Sequence, residues 1–283
     1  MNWKGFWSRM LLVGVAFPLL AVIILLVPHV HHLVVNIAVV GVSLLGGFEM
    51  AALFRARKIK TSNVLAPVLG ASLPAGVFLE VLGVFPAGWL GIWAPAALGI
   101  ILFRAVLLQK DKNLASVLAY SSSSVFTFLY PGFFLSWIVR LSSLPEPSLC
   151  ILFFLCLVFG NDMAAYFAGS LWGASTRLNL PVSPQKSVVG FAGGLFGSVV
   201  VVGLFLLLVP GFPNFGLPLD MTLGLLTGVT VIVGDLLESG LKRSAGVKDS
   251  GILIPARGGI LDSVDSMTLT APLFYYFFVL VGR

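Results

Sequence analysis

SVVGFAGGLFGSVVVVGLFLLLV, Ser187 to Val209, contains no charged residue over a length that carries an α-helix across a bilayer core, which takes about 20 apolar residues. The run is continuous. A membrane β-strand would alternate with a period of two and span about half that length, so the stretch reads as a transmembrane helix. Comparable runs recur from Leu11 to Val27, His32 to Phe54, Asn63 to Gly83, Phe85 to Leu108, Leu114 to Val139, Ser148 to Gly169, Leu217 to Leu237 and Met267 to Val281. Together they predict an all-α, polytopic integral membrane protein of about nine transmembrane helices. Composition agrees: 10% of residues are charged, where soluble domains carry about 25%, and mean hydropathy is +1.05. The first run follows Lys4 and Arg9 but exceeds a signal-peptide core and lacks a small-residue cleavage site, so it is read as an anchor.

Cytoplasmic loops are enriched in Lys and Arg. A cytoplasmic N-terminus puts Lys4 and Arg9 inside, then Arg55, Arg57, Lys58 and Lys60, then Arg104, Lys110 and Lys112, then Arg177 and Lys186, then Lys242, Arg243, Lys248 and Arg257. Only Arg140 and Arg283 remain outside. Both long polar loops, 170–186 and 238–266, then face the cytoplasm. The net charge of +6 needs no nucleic acid, because basic inner loops beside anionic headgroups account for it.

The halves differ. Residues 1–142 read as a transmembrane scaffold whose acids are isolated, Glu49 near the inner end of the second span and Glu80 near the outer end of the third. Residues 143–283 read as the catalytic part, with Asp162, Asp235, Glu238, Asp249, Asp262 and Asp265. Cys150 and Cys156, in one apolar span with no His nearby, read as packing residues. His29, His31 and His32 read as interfacial residues at a turn. Ser121 to Ser124 read as close-packing serines, and Tyr130, Pro131 and Gly132 as a kink.

GDLLESGLKRSAGVKDSGILIPARGGILDSVDS, Gly234 to Ser266, concentrates the chemistry. Asp235, Glu238, Ser239 and Lys242 stand at i, i+3, i+4 and i+7, on one helical face. Their oxygens suit Mg²⁺, which takes only one or two protein carboxylates when phosphate and water complete its shell. A plain ion pair would use one acid and one base, leaving an acid over. Gly246, Gly251, Gly258 and Gly259 would let backbone amides approach a polyphosphate, with Lys248 and Arg257 neutralising it. Asp262 and Asp265, three apart, can hold one metal or bridge two. Upstream, Asn161 and Asp162 interrupt an apolar run, and an acid in a span is a functional candidate; Arg177, Ser183 and Lys186 follow on the same side.

The run from Gly234 to Ser266 resembles the signature of the phosphatidate cytidylyltransferases, also called CDP-diacylglycerol synthases, which reads S-x-x-K-R-x-x-x-x-K-D and then H-G-G-x-x-D-R-x-D. NDMAAYF, Asn161 to Phe167, is similar to that family's N-D-T-G-A-Y-F, and SPQKS, Ser183 to Ser187, to its S-P-K-K-T. The likeness is strong over the C-terminal half. It implies transfer of CMP from CTP to phosphatidic acid, giving CDP-diacylglycerol and pyrophosphate. It implies further that Asp235, Glu238, Asp262 and Asp265 hold Mg²⁺, with a second metal ion left open, and that Asp249 and Asp162 support them. By the same resemblance Lys242, Arg243 and Lys248 grip the triphosphate, while Asn161, Asp162, Ser183, Lys186, Ser239, Arg257, Gly258 and Gly259 contact substrate. The implied partners are CTP, membrane phosphatidic acid and, as an option, a second copy in a homodimer. The implied place is a bacterial cytoplasmic (inner) membrane, with the active site facing the cytoplasm. The chain departs from the family with Arg257 for His, Ser263 for Arg, Met163 and Ala164 for T-G, and Ser187 to Gly190 for T-W-E-G.

Other functions compete. An ion-coupled transporter would place its acids on broken helices at mid-depth, whereas these gather at the inner edge. A CTP-using enzyme acting on an isoprenoid or polyprenol lipid phosphate would show the same residues. A weakly active homologue is a third alternative. A CDP-alcohol phosphotransferase would carry D-G-x-x-A-R, which is absent.

Overall fold

The computed structural model describes residues 3–107, 114–254 and 257–282. Lys110, Lys112 and Arg283, used above to orient the chain, lie outside these residues, as does Leu108 at the end of the fourth expected span. The described chain is built of helices: α1 (Trp3–Leu26), α2 (His29–Ala56), α3 (Leu65–Val81), α4 (Trp89–Leu107), α5 (Ala115–Phe128), α6 (Phe134–Arg140), α7 (Pro147–Trp172), α8 (Val188–Leu208), α9 (Leu217–Ala245) and α10 (Leu261–Val281). Among the described residues there is no strand, only isolated bridges. Among the described residues, seven helices are long and apolar enough to cross a membrane, and α3 (Leu65–Val81) is a shorter apolar helix. The protein is an all-α membrane protein.

Two compact units form, Met1–Ser143 with Ser244–Val264, and Leu144–Arg243 with Asp265–Arg283. In the first unit, α5 passes into α6 through a π-helical turn over Leu129–Phe133, where the sequence predicts a kink. Gly132 lets that turn pack closely on α3, because a Cβ there would lie 2.6 Å from the Gly70 Cα. Serines of α5 fasten the loop between α2 and α3: Ser124 Oγ accepts from the Ser62 amide at 2.8 Å and Ser123 Oγ donates to the Lys60 carbonyl at 2.8 Å. Glu80 is not isolated. Arg140 holds it in a two-pronged pair at 3.0 and 3.2 Å, and the Gly88 amide adds a third bond at 3.0 Å.

In the second unit, Phe153, Phe154, Phe205, Phe212, Phe274 and Phe278 interlock, with centroids 4.7–6.3 Å apart. The α7–α8 seam is of small residues; a Cβ on Gly193 or Gly197 would sit 2.4 Å from the Cβ of Ala168 or Ala164. Cys150 and Cys156 are free thiols. Two ends differ from the sequence expectation. α9 runs on to Ala245, past Leu237, because its polar face pairs internally; α10 starts at Leu261, before Met267, because carboxylates take up its first amides.

Candidate active site

In the second unit, Asp235 and Glu238 lie on α9 one turn apart. Lys186 pairs with Asp235, and Lys242 with Glu238 at 2.6 Å, the Glu238 side chain being 1% exposed. Each acid therefore has its own cation. The leftover acid predicted from α9 alone does not exist, because the second base arrives from the loop between α7 and α8, 49 residues away in sequence. That loop is pinned. The bridges Arg177 to Ser187 and Leu180 to Ser183 fold it back on itself, and Ser187 Oγ accepts from the Gly190 amide at 3.0 Å to cap α8. Gly173 leaves room for that cap, since a Cβ there would lie 2.5 Å from Ser187 Oγ. A Cβ on Gly240 would meet Val182 at 3.5 Å, so the loop tip lies against α9. Ser183 sits in the loop's turn, its amide donating to Leu180; Ser239 is half-buried on α9, and Arg243 is exposed.

Beside them, α9 and α10 come close at Gly234, where a Cβ would lie 2.6 Å from the Asp265 carbonyl. Asp265 is 8% exposed. The Ser266 hydroxyl stands 3.3 Å from Asp265 Oδ1 and 3.4 Å from Asp162 Oδ2, so one hydroxyl links carboxylates of α10 and α7. Asn161 is buried beside Asp162. Its Nδ2 donates to Ser198 Oγ at 3.0 Å and to the Gly228 carbonyl at 3.5 Å, tying α7 to α8 and α9.

In the first unit, a second cluster forms around Asp262 and Glu49. Asp262 Oδ2 accepts from the Gly259 amide at 2.6 Å and from the Ser250 amide and hydroxyl at 2.9 Å each. Glu49, read from the sequence as an isolated scaffold acid, accepts at 2.9 Å from the Ile260 amide, the Leu261 amide and the Ser250 hydroxyl. The glycines serve these carboxylates. The Gly259 amide expected to meet a polyphosphate is used by Asp262, and the Gly258 amide by the Ile254 carbonyl at 2.9 Å. Gly258 adopts φ of +113°, which suits glycine. Lys248 and Asp249 are exposed and Arg257 is half-buried. Sequence reasoning missed Glu49; an acid two turns from the inner end of a span was the available signal.

Among the described residues, no three of the His, Cys, Asp and Glu side chains are grouped to hold a metal ion. The set Asp235, Glu238, Asp262 and Asp265 is thus divided among different partners, two with lysines, one with loop amides and one with Ser266. Asp162 and Asp265 still fit Mg²⁺. They are two carboxylates about one hydroxyl, the number that this ion takes when phosphate supplies the rest.

A sequence model of the cytidylyltransferase family matches residues 7–281. The chain belongs to the cytidylyltransferase family. It is similar to a phosphatidate cytidylyltransferase of Synechocystis sp., 47% identical over 133 residues, which are 46% of this chain and 43% of the relative. A phosphatidate cytidylyltransferase of Bacillus subtilis is 34% identical over 157 residues, 54% of this chain and 56% of the relative. The uncharacterized protein YnbB of Escherichia coli is 37% identical over 147 residues, 50% of this chain and 47% of its own. The matches span about half the length of these curated relatives.

Proposed function

We propose that this protein is a phosphatidate cytidylyltransferase, which moves CMP from CTP to phosphatidic acid and yields CDP-diacylglycerol and pyrophosphate. The observation that carries the reading is the Asp162, Ser266 and Asp265 constellation, in a chain of the cytidylyltransferase family that is similar to phosphatidate cytidylyltransferases of Synechocystis sp. and Bacillus subtilis.

An oxygen of the phosphatidate phosphate attacks the α-phosphorus of CTP; the new P–O bond forms as the bond to the β-phosphate oxygen breaks, and pyrophosphate leaves with that electron pair. The nucleophile is already an anion, so positioning and charge screening matter more than a general base. Asp162 and Asp265 would hold Mg²⁺, which supplies charge stabilisation to phosphate oxygens. Lys186, from the loop between α7 and α8, is held by Asp235 of α9, and Lys242 of α9 by Glu238. Their ammonium groups are thereby pre-oriented, and they counter the repulsion between two polyanions. Lys248, Arg243 and Arg257 would serve the triphosphate, with Ser183 and Ser239 as hydroxyl donors. The excess of basic residues in alternate loops supports an active site at the cytoplasmic side of a bacterial inner membrane.

The test is purified protein with labelled CTP, Mg²⁺ and phosphatidic acid, followed by extraction of label into the lipid phase. Label in CDP-diacylglycerol is expected. Label only when an isoprenoid or polyprenol phosphate replaces phosphatidic acid would overturn the choice of acceptor, and none with either would overturn the activity.

A further inference from the structure

We propose that Glu49 is a positioning residue for the loop between α9 and α10, holding Lys248, Asp249 and Arg257 in place for CTP; the inference rests on the cytidylyl-transfer reading. Glu49 lies two turns from the end of α2 and is 7% exposed. A carboxylate so buried needs full compensation, and it finds three donors that all belong to this loop or its junction with α10. Two are the consecutive amides of Ile260 and Leu261, left without helical partners at the start of α10.

The third donor ties the loop's two arms together. The Ser250 hydroxyl lies 2.9 Å from both Glu49 Oε2 and Asp262 Oδ2, so its single proton serves one carboxylate at a time. Asp262 meanwhile takes the amides of Ser250 and Gly259. The two acids therefore clamp the Ser250 arm to the Gly259 arm. Lys248 and Asp249 directly precede Ser250, while Arg257 and Gly258 directly precede Gly259, so any shift of the clamp is passed to those residues. The loop is shaped around this carboxylate: a Cβ on Gly251 or on Gly259 would lie 2.4 Å from a Glu49 oxygen.

Glu49→Gln tests this without changing side-chain size. Both carboxylate oxygens accept from a backbone amide, so either orientation of the carboxamide sets its NH₂ against an N–H. Full-length protein in lipid is treated with trypsin, and cleavage after Lys248 and Arg257 is followed by mass spectrometry with Arg177 as the internal reference. Glu49→Gln is expected to speed both loop cleavages about tenfold, the weight of one charge-assisted hydrogen bond. It should also raise KM for CTP while leaving KM for phosphatidic acid at the parent value. Parent cleavage rates overturn the proposal, and so does faster cleavage with unchanged CTP kinetics, which reduces Glu49 to a packing residue. Should Glu49→Gln fail to fold, Ser250→Ala, which deletes only the shared hydroxyl, is judged by the same two measurements. Parent protein that incorporates no label sinks the functional reading instead, and loop cleavage, with its protection by added CTP, still decides whether Glu49 holds the loop.

Discussion

Asp162 and Asp265 stand on different helices, 103 positions apart in sequence, and share the hydroxyl of Ser266 at 3.4 and 3.3 Å. A single hydroxyl can donate to only one of them at a time. Two carboxylates from separate helices about one hydroxyl are the arrangement that a hard divalent ion would complete.

Asp265→Asn keeps the shape and removes the charge. Lipid-phase label from CTP is expected to fall on the order of 10²-fold or more, the scale of losing one electrostatic stabiliser of a transition state. Thermal stability in detergent should change little. Incorporation at the parent rate would remove Asp265 from the chemistry.

Chelation should act on the same pair. Excess EDTA is expected to abolish incorporation, and added Mg²⁺ to restore it. Unchanged turnover in EDTA would count against a divalent ion held by Asp162 and Asp265.

Lys248 is exposed on its loop and offers a cation to a triphosphate. Lys248→Ala is expected to raise KM for CTP about ten- to a hundredfold, the range of one lost charge-assisted contact. The effect should weaken as salt rises. A KM change for phosphatidic acid alone would reassign the residue.

Gly259→Ala would place a methyl 2.1 Å from Ser250 Oγ and 2.6 Å from the Gly251 amide nitrogen. Overpacking of this kind costs about 1–3 kcal/mol, so a lowered Tm in detergent is expected. Gly203→Ala is the control, because nothing lies within 4 Å of its added methyl. It should stabilise α8 by roughly 0.5–1 kcal/mol. Equal effects at the two sites would contradict the packing described.

The Glu80 and Arg140 pair, 11% and 15% exposed, joins α3 to α6. Removing either partner strands a largely buried charge, at a cost of about 3 kcal/mol. The double substitution should recover part of it, with a coupling of about 1–3 kcal/mol by thermal denaturation. Additive losses would show that the contact carries no energy.

Much of this was legible in the chain alone. Apolar runs and basic loops depend on composition within about 20 residues, so the helical class and the general place of the spans could be read directly. The i, i+3, i+4, i+7 face of Asp235, Glu238, Ser239 and Lys242 follows from helix geometry, and α9 carries all four. The helix ends were less legible, because α9 is extended by its own ion pair and α10 begins where distant carboxylates meet its amides.

By itself, then, the sequence determined a helical membrane protein and the face of α9 that carries its acids, because both follow from local periodicity and burial. Only the tertiary structure decided which cation meets which acid. It gave Asp235 to Lys186, turned the glycines toward carboxylates, and brought Glu49 to Ser250 across 201 positions. Hydrogen bonds and ion pairs at such separations depend on how helices pack, and no local pattern encodes that.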